Sequence, residues 1–173
     1  QLKEDMGVAA MLAKEVELKG LLLKKLAGHP GVQVLEPEQL HRLGIVSFYS
    51  LHRHHNLIVR LLNDRFGIQT RGGCSCAGTY GHILLNVKRE QSKHITEKIN
   101  HGDLSEKPGW VRISLHPILT AEEVEFIAGA VHEVLDNYER WQEEYVFDPR
   151  SAEFHHRSWK PELPDIRRDF RPW

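Results

Sequence analysis

Cysteine is scarce in this sequence, and the two cysteines, Cys74 and Cys76, are separated by a single residue. A disulfide across so short a loop would be strained. A structural zinc site usually has four Cys or His ligands, with paired cysteines more widely spaced. We therefore expect two reduced thiols in a turn and no metal site. Such cysteine use is more typical of cytosolic than of secreted proteins and predicts a cytoplasmic location.

The sequence also lacks long apolar runs and an excess of charge of one sign. Its apolar runs, such as residues 20–23, are far too short to span a bilayer, and no signal-peptide pattern is recognisable. The net charge is −1 with histidine neutral, so no strong field attracts nucleic acid or anionic lipid. We expect neither nucleic acid nor membrane as a partner.

A starting methionine is missing as well, since the chain begins with Gln1 and its first residues already read as helix. These features predict that the chain is a piece of a longer protein, although processing or a disordered start would give the same pattern. The length of 173 residues suits one domain with a single core.

The hydrophobic pattern predicts an α+β fold. Apolar residues at helical spacing predict long helices over residues 2–26, 53–66 and 120–138, the last with Thr120 and Glu123 as a capping box. Strands are predicted at residues 32–35, 44–50, 68–70 and 110–115. Shorter helices are predicted at residues 79–85 and 92–100, the second within a polar stretch, residues 86–108. We expect a small, mostly antiparallel sheet with helices on one face.

The pattern changes after residue 140. We predict a small domain over residues 1–140 and an extended tail over residues 141–173. The tail loses helical periodicity and is rich in proline and tryptophan. Because aromatic residues are sparse in disordered segments, we expect this tail to be an extended arm anchored by its aromatic side chains.

A glycine-rich loop, RGGCSCAG, spans residues 71–78. Its glycines allow backbone angles that other residues resist, so the loop can present Cys76 to solvent. Arg71 close by would favour the thiolate, the nucleophilic form of cysteine. The alternative is a turn that happens to contain cysteine.

Arg112 stands within an otherwise apolar strand. A buried guanidinium requires an anionic partner, and arginine binds carboxylates through two parallel hydrogen bonds. A carboxylate-binding role would explain this position. The alternative places Arg112 on the solvent face of an edge strand.

Histidine is abundant, with 12 residues that include the clusters His52, His54, His55 and His155, His156. Histidine is a common metal ligand, but no second cluster at ligand spacing accompanies either group. We interpret these histidines as solvated or helix-surface residues.

Several of these segments resemble one enzyme family. The segment GIQTRGGCSCAG resembles the GIxxRxGxxCA signature of the cysteine desulfurase and selenocysteine lyase branch of the class V aminotransferase family. Upstream, His55, Leu62, Gly67 and Ile68 fall at the family's spacing. Downstream, WVRIS and the helix that starts at Thr120 are similar to the family's RxS strand and final helix. The similarity covers roughly residues 2–138.

The resemblance implies the C-terminal small domain of a fold type I pyridoxal-phosphate enzyme, with residues 1–28 as the interdomain helix. By position, Cys76 matches the catalytic cysteine that attacks the substrate sulfur and carries a persulfide. Arg112 matches the arginine that binds the substrate α-carboxylate, and Arg71 matches a substrate-side arginine ahead of the cysteine loop. The resemblance further implies pyridoxal phosphate in the complete enzyme, a large domain of the same chain, a homodimer and a small amino-acid substrate.

The sequence departs from the family in ways that limit these expectations. No Ser-x-His-Lys segment is recognisable, so we expect the chain alone to hold no cofactor and to be inactive. Residues 86–108 look like an insertion, and Cys74 and Ser75 stand where many members carry histidine. Two alternatives stay open. One is a class V transaminase or other lyase without persulfide chemistry, and the other is a stand-alone protein-interaction domain.

Overall fold

The computed structural model describes residues 2–5, 7–74 and 78–160. The helices are α1 (Leu2–Asp5), α2 (Val8–Leu26), α3 (His55–Phe66), α4 (Gly78–Leu84), α5 (Arg89–Asn100), α6 (Ala121–Asp136) and α7 (Tyr138–Trp141), followed by a 3-10 turn at Gln142–Glu144. The strands are β1 (Gln33–Val34), β2 (Ile45–Tyr49), β3 (Arg71–Gly73), β4 (Trp110–Ser114), β5 (Tyr145–Asp148) and β6 (Glu153–His156). Within the described ranges, no helix is long and apolar enough to cross a membrane.

The main sheet has four strands in the order β1-β2-β4-β3. All three pairings are antiparallel, and β5 pairs with β6 in a separate two-stranded hairpin. Strand β4 is therefore internal and β3 lies at an edge. The predicted α+β fold with a small antiparallel sheet packed against helices is confirmed.

The core lies between one face of the sheet and three helices. Alternation along the strands turns Val46 and Phe48 of β2 and Val111 and Ile113 of β4 toward this core. Helices α2, α3 and α6 cover them with a continuous set of buried aliphatic residues: Leu18, Leu22, Leu26, Leu57, Ile58, Leu61, Leu62, Val124, Val131, Val134 and Leu135. This packing leaves the opposite face of the sheet free of these three helices.

Local signals set most of the helix ends. Thr120 forms the predicted capping box with Glu123, in which each side chain accepts from the other residue's backbone N–H. Helix α3 ends at Gly67, which has φ 67°, the left-handed conformation that suits glycine. The predicted single helix over residues 2–26 is wrong, because Gly7 with φ 81° separates α1 from α2.

The third strand lies later in the chain than the sequence predicts. Residues 68–70 do not belong to a strand, and Arg71–Gly73 pair with β4 instead. Glycine explains the shift, because a Cβ on Gly72 would lie 2.4 Å from Asn56 Oδ1. Only a residue without a side chain lets the strand lie this close to α3.

The segment after residue 140 is folded against α3 as far as it is described. The predicted extended arm is wrong for residues 145–156, which form the β5–β6 hairpin. Tyr145 Oη donates to Asp64 Oδ2 at 3.0 Å, and Arg65 stacks over the Trp141 ring at 4.0 Å. The first contact joins the hairpin to α3 and the second joins α7 to α3, so tertiary contacts hold this segment although its local sequence pattern is weak. Residues 161–173 lie outside the described ranges, and the domain boundary at residue 140 stays a prediction.

Candidate functional site

The sheet face turned away from the three core helices, here called the open face, carries a row of polar side chains. Ser47 of β2 lies directly opposite Arg112 of β4, and Arg112 lies directly opposite Arg71 of β3. Directly opposite residues of antiparallel strands share a face, with Cβ atoms about 4.5–5.5 Å apart. The side chains of one serine and two arginines therefore leave the sheet side by side across three strands, in what we call the Ser47–Arg112–Arg71 row.

The environment of Arg112 is unfavourable without a ligand. Its side chain is half-buried, and its Nε is buried without a hydrogen-bond partner in the described part of the chain. A buried donor left unpaired costs about 1–3 kcal/mol, and like charges directly opposite each other on a sheet also destabilise it. A bound anion would remove both penalties, and a carboxylate fits the two-pronged guanidinium group.

The alternative interpretation of Arg112 as an edge-strand residue is wrong. Strand β4 has β2 on one side and β3 on the other. The structure therefore brings Arg112 and Arg71 together, as the two predicted substrate-side arginines. Whether they bind a substrate carboxylate stays a prediction.

The cysteine loop begins where β3 ends. Cys74 follows Gly73 directly and is a half-buried free thiol. A Cβ on Gly81 of α4 would lie 3.3 Å from a ring atom of Trp110 and 3.6 Å from Cys74 Cβ. Helix α4 therefore lies against the Trp110 end of the open face, next to the row. Cys76 falls outside the described residues, so its predicted role as sulfur acceptor stays a prediction.

The histidines at the start of α3 are not the surface residues that the sequence indicated. His54 caps the helix, because its Nδ1 accepts from the backbone N–H of Asn56 at 3.2 Å. His55 is buried, with 8% of its surface exposed, and its ring stacks on that of His54 at 4.6 Å. Burial and the nearby charges of His54 and Lys107 lower the pKa of His55 to about 3. His55 is therefore neutral at physiological pH.

Sequence reasoning missed the structural partners of His55. A Cβ on Gly109 would lie 2.6 Å from the His55 ring, and a Cβ on Gly72 would lie 3.3 Å from it. A glycine inside or beside a strand often marks a close approach of another group, and this was the available signal. Within the described ranges, no group of three or more His, Cys, Asp or Glu side chains is placed to hold a metal ion.

An apolar strip runs along the outer side of α2. Val8, Leu12 and Val16 are each more than 40% exposed, as are Leu40 and Leu43 in the loop after β1. Lys19 connects the two segments, because its Nζ donates to the carbonyl oxygens of Leu40 at 2.7 Å and Arg42 at 3.0 Å. We call these five residues the apolar strip. So many exposed aliphatic side chains together are typical of a contact surface.

Comparisons with known proteins give one family match and a similar solved structure. No curated protein sequence matches the chain. Among solved structures, the cysteine desulfurase CsdA of Escherichia coli in its S-sulfonic acid form is similar, with 20% sequence identity and a TM-score of 0.46. The match covers 72% of this chain and 25% of that chain, so the chain spans a quarter of that protein's length. The family described as Aminotransferase class-V matches residues 1–127, which is more than half of the sequence, and the chain therefore belongs to the class V aminotransferase family.

Proposed function

We propose that this chain is the C-terminal part of a pyridoxal-phosphate-dependent enzyme that acts on a small amino acid. The Ser47–Arg112–Arg71 row binds the α-carboxylate of the substrate. The observation that carries this proposal is the position of Arg112 directly opposite a second arginine, with a buried Nε that has no partner within the described ranges. Class V aminotransferases are dependent on pyridoxal phosphate, and their substrates carry the carboxylate that such a pair would hold.

The described residues do not by themselves fit the cofactor. The cofactor is held by a lysine amine in a Schiff base, which requires a lysine free to react. Lys19 is the buried lysine among the described residues, and its Nζ is engaged by two backbone carbonyl groups. We propose that the cofactor lysine belongs to a large domain of the same polypeptide, outside residues 1–173.

The apolar strip also supports a separate large domain that holds the cofactor. Its aliphatic side chains are exposed in this chain, and apolar surface of this kind is stabilised when another domain covers it. We propose that the large domain of the same polypeptide covers the strip. A homodimer and a cytoplasmic location belong to the same proposal, the second because Cys74 is a free thiol.

Cysteine desulfuration is the reaction we favour. The Cys76 thiolate would form an S–S bond to the sulfur of the substrate cysteine while the Cβ–S bond breaks. The electron pair of that bond stays on Cβ, which takes a proton to give alanine, and Cys76 keeps the sulfur as a persulfide. The cofactor supplies an electron sink for such chemistry. A selenocysteine substrate would follow the same course with selenium.

A transaminase or lyase without persulfide chemistry is the second candidate within the family. The carboxylate row would serve it equally well, because every amino-acid substrate carries an α-carboxylate. It would not need Cys76. A stand-alone interaction domain is the third candidate, and it would use the apolar strip for a protein partner.

One experiment separates these candidates. The complete natural polypeptide is loaded with pyridoxal phosphate, the absorbance of the bound cofactor is recorded, and sulfide is measured after cysteine is added. We expect a bound-cofactor band, sulfide release, and loss of that release in Cys76→Ala. A band without sulfide would favour the transaminase or lyase. Absence of the band would contradict the enzyme proposal and favour the interaction domain.

A further inference from the structure

The ring of His55 lies where side chains at two glycines, Gly72 and Gly109, would otherwise be. A Cβ on Gly109, the residue before β4, would lie 2.6 Å from His55 Cε1 and Nε2 and 2.8 Å from Gly73 Cα. On the other strand, a Cβ on Gly72 would lie 3.3 Å from His55 Cδ2. The ring is therefore packed close to both β3 and the residue that precedes β4.

This contact lies on the core side of the sheet, directly beneath the open face. Gly72 is opposite Val111, a core residue, so the missing side chain of Gly72 would point toward α3. Arg71 precedes Gly72 and Arg112 follows Val111, so the two arginine side chains point to the open face. Any shift of β3 against β4 at the histidine would move the two arginines relative to each other.

We infer that His55 is a positioning residue whose ring sets the spacing of β3 and β4 and thereby aligns Arg71 with Arg112 on the open face. The substrate side of this inference rests on the proposed function, whereas the spacing itself does not. Gly72 and Gly109 make room for the ring, because any side chain at Gly109 would occupy its place.

The surroundings of His55 fit a packing role rather than proton transfer. The ring is buried and stacked on His54 with an interplanar angle of 19°. Burial also lowers the pKa of His55 to about 3, so the ring stays neutral at ordinary assay pH. The shape of the ring at position 55 is then the property that sets the strand spacing. A phenyl ring keeps a flat aromatic shape but cannot gain or donate a proton as imidazole does.

The first test compares ring removal with ring replacement in the complete natural polypeptide. In a Cys76→Ser background, we measure the alkylation rate of Cys74 by peptide mass spectrometry, because Cys74 directly follows β3. We expect His55→Ala to change this rate severalfold and His55→Phe to leave it near the parent value. His94→Ala, an exposed histidine on α5, serves as the control without effect. Equal rates in His55→Ala and the parent would overturn the inference.

A size-exchange cycle covers the case in which a single variant folds poorly. Gly109→Ala places a methyl group against the ring, so we expect a large fall in melting temperature. In the His55→Ala background the ring is gone, and the same substitution should lower the melting temperature much less. The contact with Gly73 remains, so the rescue is partial. Additive effects of the two substitutions would contradict a shared contact.

The kinetic test addresses the substrate side. Misaligned arginines would lose the paired hydrogen bonds by which guanidinium groups hold a carboxylate, so the effect should appear in substrate binding. In the desulfurase assay we expect His55→Ala to raise KM for cysteine much more than it lowers kcat. His55→Phe should restore KM and leave the pH profile of kcat/KM unchanged. A changed pH profile in His55→Phe would contradict a positioning role.

The two proposals fail in different ways. If the wild-type protein releases no sulfide, the proposed reaction is wrong, and the alkylation rates and the melting-temperature cycle still decide whether His55 spaces the strands. If sulfide is released but the cycle is additive, the inference about His55 is wrong and the proposed function stands.

Discussion

The two faces of the four-stranded sheet differ in what their side chains do. On the core face, Val46, Phe48 and Val111 are fully buried under three helices. On the open face, the same strands carry Ser47 and Arg112, and the buried Nε of Arg112 has no hydrogen-bond partner among the residues that the structure describes. Adjacent residues of one strand therefore serve opposite purposes, because their side chains point to opposite sides.

This difference shows which face contributes to the stability of the fold and which is suited to bind a ligand. Apolar burial on the core face holds the fold together, whereas the open face holds groups that destabilise the empty protein. Unfavourable polar groups of this kind persist at functional sites, where a ligand offsets them. Substitutions on the two faces should therefore separate the free energy of unfolding from ligand affinity.

The largest effect is expected from Phe48→Ala on the core face. Phe48 is fully buried, and truncation of such a residue costs about 3–5 kcal/mol through lost burial and the remaining cavity. Chemical denaturation followed by circular dichroism measures this loss. Ser47→Ala, one residue away on the open face, is the matched control and should change stability far less. Similar losses for the two variants would break the comparison between the faces.

Acid should lower the free energy of unfolding through His55, which lies on the core side of the sheet. Its pKa falls from 6.5 to about 3 on folding, so the unfolded chain binds more protons between these values. Its contribution to stability is complete above pH 6.5 and is lost as the pH falls toward 3, by about 3 kcal/mol between pH 6.5 and 4. Unfolding curves across this range test it.

The non-titrating variant His55→Phe is the control for the acid effect. It should show a clearly shallower fall of stability between pH 6.5 and 4 than the wild type. The remaining slope includes His54, whose pKa burial also lowers. Identical slopes in the two proteins would show that His55 is accessible to protons in the folded state.

The open face should respond in binding rather than in stability. In the complete enzyme, Arg112→Gln should raise KM for cysteine by a factor of about 10–100, since a hydrogen bond to a charged group contributes about 1.5–3 kcal/mol. The free energy of unfolding should stay the same or rise slightly, because an unpaired buried donor and a like-charge contact are removed. Steady-state kinetics and denaturation measure the two quantities. A marked loss of stability with unchanged KM would make Arg112 a structural residue.

The smallest effect is expected at a helix end that belongs to neither face. Thr120→Ala removes the side chain that accepts from the backbone N–H of Glu123 at 3.2 Å. Loss of such a cap costs about 1 kcal/mol. Thr120→Ser, which keeps the hydroxyl, should retain most of the stability. Equal losses in both variants would assign the effect to the methyl group instead of the cap.

The sequence predicted the parts that depend on neighbouring residues. Helical spacing of apolar residues located α3 and α6, and the capping box at Thr120 was visible as a pattern of four residues. The break at Gly7 was missed, because the apolar pattern begins at Val8 and the helix was extended back to Leu2 across a single glycine. The hairpin at residues 145–156 was missed, because its stability comes from contacts with α3 such as Tyr145 with Asp64.

The candidate site could be predicted only as separate residues. Arg71 and Arg112 were each identified from their sequence context, but their position opposite each other depends on β3 pairing with β4. The sequence showed only that His55 falls at the family's spacing and indicated no role for it. Its role emerges only with Gly72 and Gly109, which approach it from distant parts of the chain.

The sequence by itself determined the fold class, the order of the long helices and the family, because these follow from local periodicity, caps and a contiguous motif. Tertiary structure alone decided which strands are neighbours, which face each arginine occupies and what surrounds His55. The physical reason is that strand pairing and burial join residues far apart in sequence, and their energies depend on the packing of the whole core.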